Sequence, residues 1–336
     1  MHKARGWAVR NTPWLVLAGA LGLTQPALAG DYQESPQLAE FVAEMTRDYG
    51  FAGEQLTGLF ADVERKQAII DAISRPAEKV KPWKDYRPIF ITDARINKGV
   101  EFWKQHEATL ARAEAEYGVA PQVIVAIIGV ETSYGGNTGS YRVMDALSTL
   151  AFDYPPRAPF FRKELREFLM LAREEQVDPL GLKGSYAGAM GLPQFMPSSF
   201  RAYAVDFDND GHINIWTNPV DAIGSVASYF KRHGWQPGQP VVSAASVEGA
   251  QAEQGLTVGL DPVKNAAELR DLGWTSADPL SDELPVTAFR LEGAEGDEYW
   301  LGLPNFFVIT RYNRSVMYAM AVNQLAELMV DARGNN

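Results

Sequence analysis

Hydrophobic residues recur at helical spacing along most of the chain. Intervals of three and four residues predict helices over residues 35–50, 54–74, 93–117, 121–133, 160–176 and 316–330. Prolines 76, 82 and 88 interrupt the pattern and predict an extended connector over residues 75–91. The chain should therefore be mainly α-helical.

The pattern changes between residues 241 and 310. Short β-favouring segments are separated there by Gly, Asp and Pro, and they occupy residues 241–242, 256–260, 285–291 and 306–310. We expect a small β-rich insertion before the C-terminal helix, which makes the fold class mainly α, in the α+β sense.

Residues 1–29 have the pattern of a secretory signal peptide. Lys3, Arg5 and Arg10 precede an apolar run and an Ala-x-Ala site that ends at Ala29. The run is about half as long as the roughly 20 residues that a helix needs to cross a bilayer. We expect cleavage and a periplasmic protein; the alternative is an uncleaved N-terminal anchor. The chain has no cysteine, which excludes a lipid anchor on cysteine and any disulfide.

The net charge of the chain argues against some classes of binding partner. The net charge is −11, from 31 basic and 42 acidic residues. The predicted signal holds three of the basic residues and no acidic one, so the mature chain would carry −14. Such a surface repels phosphate groups, and we therefore do not expect nucleic acid or an anionic membrane surface as a partner.

One glutamate closes an almost wholly apolar helix. Pro121 suits the first turn of that helix, Glu131 lies in its last turn, and Gly135 and Gly136 suit its end. A helix that is apolar on all sides is buried, and both burial and the negative end of the helix dipole disfavour a carboxylate. The pKa of Glu131 should therefore be raised, as a general acid at neutral pH requires. The alternative is that Glu131 turns outward at the helix end.

A second segment is rich in small residues. Residues 184–200 are Gly-Ser-Tyr-Ala-Gly-Ala-Met-Gly-Leu-Pro-Gln-Phe-Met-Pro-Ser-Ser-Phe. Glycine and alanine allow the backbone to approach a flat or bulky group closely. Gln194 offers both a donor and an acceptor to a sugar. By composition alone the segment could equally be a tight structural loop.

Together these segments resemble the lytic transglycosylase B family, which comprises a membrane-bound enzyme and soluble relatives. The likeness rests on residues 128–135 and 184–200, and it continues through residues 204–216, 222–235 and 301–313 in the family's order. The resemblance implies a lysozyme-like helical catalytic core with a flanking helical domain. We expect a signal peptide at 1–29, an N-terminal helical domain at 30–92 completed by 304–333, the catalytic core at 93–235, and a β-rich domain at 236–303.

The resemblance also implies roles for individual residues. Glu131 would be the sole acid/base, and Ser185 would bind and orient its carboxyl. Residues around the muramic-acid ring would be Gln194, Tyr312, Asn313 and Tyr318. Arg157 would meet the anionic stem peptide. For the three C-terminal residues the alternative is core packing of the last helix.

An acidic run predicts a calcium loop over residues 206–221, called the acidic loop below. Carboxylates at positions 1, 3 and 5, glycine at 6 and an apolar residue at 8 match the EF-hand pattern. Position 12 is Thr217 rather than Glu, and the resemblance implies that the later Asp221 takes this role. The predicted ligand set is Asp206, Asp208, Asp210, His212 and Asp221. The alternative for Asp221 is that it complements the N-terminus of a helix capped by Asn218.

The implied activity is peptidoglycan lytic transglycosylation. The β-1,4 bond between N-acetylmuramic acid and N-acetylglucosamine would be cleaved with formation of 1,6-anhydro ends, using Glu131 and the substrate's own N-acetyl group. No cofactor would be needed for the chemistry, and Ca²⁺ would be structural. Expected partners are glycan strands and wall-synthesis enzymes, bound by a monomer. The alternatives are a hydrolytic muramidase with the same glutamate and an inactive calcium-dependent wall-binding protein.

Overall fold

The computed structural model describes residues 30–74 and 81–334, so the predicted signal peptide lies outside the described residues. Helices form most of this part of the chain. They are α1 (Pro36–Tyr49), α2 (Gly53–Phe60), α3 (Gln67–Ser74), α4 (Trp83–Phe90), α5 (Asp93–Gln105), α6 (Glu107–Tyr117), α7 (Pro121–Thr132), α8 (Val143–Asp153), α9 (Ala158–Glu174), α10 (Pro197–Tyr203), α11 (Pro219–Arg232), α12 (Ala252–Gly255), α13 (Ala266–Asp271), α14 (Pro304–Tyr312) and α15 (Val316–Gly334).

The strands form two antiparallel sheets. They are β1 (Tyr141–Arg142), β2 (Lys183–Gly184), β3 (Val242–Val247), β4 (Lys264–Asn265), β5 (Trp274–Ser276), β6 (Pro285–Glu292) and β7 (Asp297–Gly302). β1 pairs with β2, and the other five follow the order β4-β6-β7-β3-β5. The larger sheet lies within the region predicted to be β-rich, which confirms that insertion.

The predicted helices are confirmed, with two interruptions. α1 begins where Ser35 accepts a hydrogen bond from Leu38 N, and it ends at Gly50 in a left-handed conformation (φ 68°). The predicted helix 54–74 divides into α2 and α3. The predicted helix 93–117 divides into α5 and α6 at His106.

Three local predictions were wrong. The expected connector over residues 75–91 contains α4, which retains Pro88 inside the helix because Trp83, only 1% exposed, anchors its first turn in the core. Residues 306–310, expected as a strand, lie in α14, which starts with Pro304. Residues 256–260 also form no strand in the described structure.

Two large hydrophobic cores hold the helices together. The first surrounds α7 and includes residues of α5, α6, α11, α14 and α15. The second joins α1–α3 to α8, α9 and α10. Tyr312 packs against both cores. The second core spans the expected boundary between residues 30–92 and 93–235, and the domain limits stay a prediction.

The β-rich region has a smaller core of its own. It is built from Leu269, Trp274, Val286, Ala288, Leu301 and Leu303. Among the described residues, no single helix is long and apolar enough to cross a membrane. α6 and α7 reach that length and hydropathy only as a pair bent by 113°.

Candidate active site

The candidate site is built on the end of α7. Residues 123–130 are all buried, as their apolar character requires, and this run carries the helix into the first core. After Thr132 the chain turns sharply through Ser133, Tyr134 and Gly135, all with positive φ (51°, 60° and 80°). Tyr134 folds back so closely that a Cβ on Gly129 would meet its ring at 2.6 Å. Glycine is therefore required there.

The Glu131 carboxyl lies in the last turn of this buried helix. Its Oε1 accepts a hydrogen bond of 2.6 Å from the Tyr318 hydroxyl on α15. Burial raises the pKa of Glu131 to about 7, although the Tyr318 bond acts in the lowering direction. The carboxyl is therefore protonated in a substantial fraction of molecules at neutral pH, which suits a proton donor.

Glu131 opens into a cleft of about 300 Å³. The cleft is lined by Glu131, Asn137, Gly139, Ser140, Tyr141, Ser185, Tyr186 and Gln194. The structure thus brings together three residues that the sequence analysis singled out, from two motifs about 50 residues apart. Glu131 is the one carboxyl among the lining residues.

Ser185 follows β2 and lies across the cleft from α7. Its Oγ accepts hydrogen bonds from Ala187 N (3.3 Å) and Ala189 N (3.0 Å). These bonds use both lone pairs, which leaves the hydroxyl proton for donation. In the described chain the hydrogen bond to Glu131 comes from Tyr318 and not from Ser185, and the orienting role of Ser185 stays a prediction.

Gln194 lies in a strained turn, with a positive φ of 51°. Its Nε2 donates to Gly191 O at 2.9 Å and to Thr138 O at 3.2 Å. Both amide protons are therefore used within the protein, and the side-chain oxygen is the group available to a ligand in the cleft. The sequence predicted a donor and an acceptor, whereas the structure leaves the acceptor.

Of the three predicted C-terminal residues, Tyr318 is the one with a hydrogen bond to Glu131. Tyr318 is 3% exposed, and burial followed by the charge of Glu131 raises the pKa of its hydroxyl well above the usual range. Tyr312 packs on Tyr229 (4.8 Å between ring centroids) and donates to Pro193 O at 2.6 Å. Core packing therefore accounts for most of the surroundings of Tyr312. Asn313 is exposed just beyond the end of α14.

Arg157 lies outside the lining of the cleft. Its guanidinium is exposed and stacks over Phe160 (4.5 Å) and Phe161 (5.0 Å) at the start of α9. The predicted contact with a stem peptide stays a prediction.

The sequence analysis missed several aromatic groups near the carboxyl. Tyr86 on α4 is close enough for the charge of Glu131 to add to the effect of burial in raising its pKa. Tyr141 and Tyr186 line the cleft, and Tyr186 is 42% exposed. The three-residue spacing of Trp83 and Tyr86 was a signal for α4, but the flanking prolines obscured it.

The acidic loop gathers three carboxylates. Asp206, Asp208 and Asp210 each offer an oxygen within 4.8 Å of the others. Asp206 accepts hydrogen bonds from Asp210 N (3.1 Å) and Gly211 N (2.8 Å), which shape the loop around these oxygens. Gly211 has a positive φ of 96°. This all-oxygen donor set fits Ca²⁺.

Asp221 is fully buried and ties the ends of the loop together. Its carboxylate accepts from Phe207 N and from Asn214 N, each at 2.8 Å. It also lies in the first turn of α11, whose N-cap Asn218 accepts from Val220 N at 3.0 Å. Asp221 is thus outside the cluster of three carboxylates. Its role as a ligand, and that of the exposed His212, stay predictions.

The Transglycosylase SLT domain family matches residues 33–327. The chain belongs to this family. The transglycosylase is 45% identical over 315 residues to "Membrane-bound lytic murein transglycosylase B" of Escherichia coli (strain K12), covering 91% of the chain and 86% of that relative. Its fold is lysozyme-like, as the sequence resemblance predicted, and it is an enzyme that acts on glycosidic bonds of peptidoglycan.

The fold is also similar to those of lytic transglycosylases of known structure. The soluble lytic transglycosylase SltB1 of Pseudomonas aeruginosa, in its catenated form, is 72% identical with a TM-score of 0.89 over 90% of the transglycosylase and 100% of that chain. Escherichia coli Slt35 in complex with calcium is 46% identical with a TM-score of 0.85 (91% and 96% covered). Pseudomonas aeruginosa SltB3, solved with NAG-anhNAM-pentapeptide, is 30% identical with a TM-score of 0.78 (88% and 79% covered).

Proposed function

We propose that the transglycosylase cleaves the β-1,4 bond between N-acetylmuramic acid and N-acetylglucosamine in periplasmic peptidoglycan and leaves 1,6-anhydro ends. The observation that carries this proposal is a single partly buried carboxyl, Glu131, with a pKa of about 7, in a cleft whose other lining residues offer no carboxyl. A two-carboxylate glycosidase needs a second acidic group at about 5–10 Å. Substrate assistance needs only one.

In the first step Glu131 donates its proton to the glycosidic oxygen. The bond from C1 of the muramic ring to that oxygen breaks, and N-acetylglucosamine leaves with a new hydroxyl. The acetamido oxygen of the muramic ring stabilises the positive charge that develops at C1. The Tyr318 hydroxyl, 2.6 Å from Oε1, then stabilises the carboxylate that remains.

In the second step the Glu131 carboxylate takes the proton from the C6 hydroxyl of the muramic ring. The freed oxygen forms a bond to C1, the anhydro ring closes, and Glu131 returns to its protonated state. The complex of SltB3 with NAG-anhNAM-pentapeptide supports this product for the present chain, because the two proteins share the fold.

Polar groups around the cleft suit a muramic-acid ring. We assign the Ser185 hydroxyl as a donor to the ring or to ionised Glu131, and the Gln194 side-chain oxygen as an acceptor for an amide N–H of the substrate. Tyr312 holds the turn that carries Gln194 through its bond to Pro193 O. Asn313 and Arg157, both exposed, would contact more distant parts of the strand and its peptide.

The acidic loop is proposed to hold a structural Ca²⁺. Asp206, Asp208 and Asp210 would be ligands, with the His212 segment and Asp221 completing the loop. The calcium complex of Slt35 supports this assignment. Bound Ca²⁺ would offset the repulsion among the loop carboxylates and stiffen the fold beside the cleft.

Digestion of purified sacculi tests the reaction. We expect the wild type to release muropeptides with anhydro ends, detected by mass spectrometry, and Glu131→Gln to release at least 10³-fold less, because an amide cannot donate the proton. Glu114→Gln, the same change at an exposed position of α6, is the matched control and should retain full activity.

The product ends separate the candidate functions. Reducing ends without anhydro sugar would replace the proposal with a hydrolytic muramidase that uses the same acid. Binding of sacculi without any release by the wild type would indicate an inactive wall-binding protein. Full activity of Glu131→Gln would reject Glu131 as the acid.

A further inference from the structure

Thr132, the residue after Glu131, has a buried hydroxyl with three hydrogen-bonding contacts. The residue is 1% exposed. Its Oγ1 accepts a hydrogen bond from Gly135 N at 3.0 Å. The same hydroxyl is within donating distance of two carbonyl oxygens, Leu192 O (3.0 Å) and Ile128 O (3.2 Å). The contact with Ile128 is the usual bond of a helical threonine to the preceding turn. The contact with Leu192 joins α7 to a segment 60 residues away.

Leu192 belongs to the turn that carries Gln194. Both backbone groups of Leu192 form hydrogen bonds with residues outside this turn. The Leu192 carbonyl accepts from the Thr132 hydroxyl, and the Leu192 N–H donates to Ile215 O at 2.9 Å. Ile215 is fully buried and lies at the tenth position of the acidic loop. The turn is thus hydrogen-bonded on one side to α7, which carries Glu131, and on the other side to the acidic loop.

The packing around this turn leaves little room for adjustment. A Cβ on Gly191 would lie 2.4 Å from Ile215 O, so the two backbones are in direct contact. Gly191 O in turn accepts from Nε2 of Gln194 at 2.9 Å. A shift at Leu192 is therefore transmitted to the Gln194 side chain, which lines the cleft opposite Glu131.

We propose that the Thr132 hydroxyl is a positioning group that fixes Glu131 relative to the Gly191–Gln194 turn across the cleft. This inference rests on the proposed function, in which Glu131 is the acid. Thr132 does not line the cleft and acts only through its neighbours. Displacement of a catalytic group by about 1 Å can cost on the order of 10²-fold in rate.

Removal of the hydroxyl has a second consequence, at the acid itself. The bond of Tyr318 to Glu131 holds the pKa of that carboxyl lower than burial alone would. If the end of α7 shifts, this bond lengthens and the pKa of Glu131 rises. A purely structural threonine would affect the amount of folded enzyme but would leave this pKa unchanged.

Three variants test the positioning role on soluble glycan strands. Thr132→Val keeps the shape and removes the hydroxyl, and we expect kcat to fall at least about tenfold, KM to change less than about threefold, and the alkaline limb of the pH profile to move to higher pH. Thr132→Ser restores the hydroxyl and should return kcat and the profile to near wild type. Thr287→Val removes another buried hydroxyl, bonded to Leu260 O in the β-rich region, and should leave kcat unchanged.

Wild-type kcat and pH profile in folded Thr132→Val would overturn the inference. If Thr132→Val does not fold, Thr132→Cys, which offers only a weak S–H donor, is compared with Thr132→Ser. The cysteine variant should then have clearly the lower kcat, and equal values would overturn the inference. Glu131→Gln in the same assay separates the two proposals. An active Glu131→Gln variant would reject Glu131 as the catalytic acid. An inactive Glu131→Gln variant together with wild-type kinetics of Thr132→Val would reject only the positioning role of Thr132.

Discussion

Carboxyl groups occur in two opposite settings in this enzyme. Glu131 lies in an apolar helix and has a single side-chain partner, the Tyr318 hydroxyl, and burial raises its pKa to about 7. Asp206 lies in the acidic loop, where desolvation is the largest single influence but is outweighed by several hydrogen bonds together, first that from Gly211 N, so that its pKa is lowered.

The difference shows how the surroundings assign a role to a carboxyl group. A pKa near neutrality suits a group that transfers protons. The apolar surroundings of α7 raise the pKa of Glu131 to this range because they keep water and cations away from its carboxylate. A group that stays ionised suits a cation, and the acidic loop achieves this with oriented N–H groups. Each of the following tests alters one of these settings.

The largest effect is expected on the pH dependence of stability. The pKa of Glu131 is raised in the folded state from 4.5 to about 7, so the native protein holds this proton more tightly than the unfolded chain does. The contribution of Glu131 to stability is therefore fully present below pH 4.5, falls as the pH rises, and is lost above pH 7. Relative to Glu131→Gln, the wild type should lose about 3 kcal/mol of unfolding free energy between pH 4.5 and pH 8. Urea unfolding at a series of pH values measures this difference.

Glu114→Gln serves as the control, since this exposed residue should give a pH dependence parallel to that of the wild type. A constant difference between the wild type and Glu131→Gln across the range would show that the carboxyl is well solvated, and the comparison with Asp206 would then break down.

The second effect concerns calcium and thermal stability. Ca²⁺ at about 100 times its dissociation constant should stabilise the folded enzyme by about 2.7 kcal/mol, measured as a rise in Tm in calorimetry. Asp208→Asn should abolish most of this rise, because it removes one of the three clustered carboxylates. Asp261→Asn, an exposed aspartate in the β-rich region, should respond to Ca²⁺ as the wild type does. An unchanged Tm in the wild type on adding Ca²⁺ would argue against a metal in this loop.

The smallest effect is expected from Tyr318→Phe. The change removes the bond that stabilises ionised Glu131, so kcat/KM should fall about tenfold, or about 1.4 kcal/mol, and the alkaline limb should move to higher pH. Steady-state kinetics across pH gives both quantities. Tyr32→Phe removes an equally short bond of 2.6 Å to Asp153, outside the cleft, and should leave the pH profile unaltered. An alkaline limb that stays in place in Tyr318→Phe would mean that the tyrosine does not influence the acid.

Local sequence patterns predicted those features of the candidate site that depend on one continuous segment of the chain. The apolar run of α7 indicated both the burial of Glu131 and the direction of its pKa shift, because burial follows from composition. The small residues around Ser185 and the spacing of the acidic loop were also readable in this way. Each of these features is determined by residues that are close together in the sequence.

Contacts between distant segments were not predictable from such patterns. The hydroxyl of Tyr318 reaches Glu131 across 187 residues, and nothing in its own helix indicates this partner without the family resemblance. Residues 306–310 of α14 were predicted as a strand because they form a short β-favouring segment, and a short apolar run fits a buried helix equally well. α4 was missed because tertiary packing of Trp83 outweighs the preference of the nearby prolines.

The two large cores meet at the cleft. Glu131 stands on a helix of the first core, whereas Met190 and Phe195, on either side of the Gly191–Gln194 turn, belong to the second. The cleft beside Glu131 therefore lies between two hydrophobic cores, and Tyr312 packs against both of them. We therefore expect apolar substitutions in either core to change the width of the cleft as well as the stability of the fold.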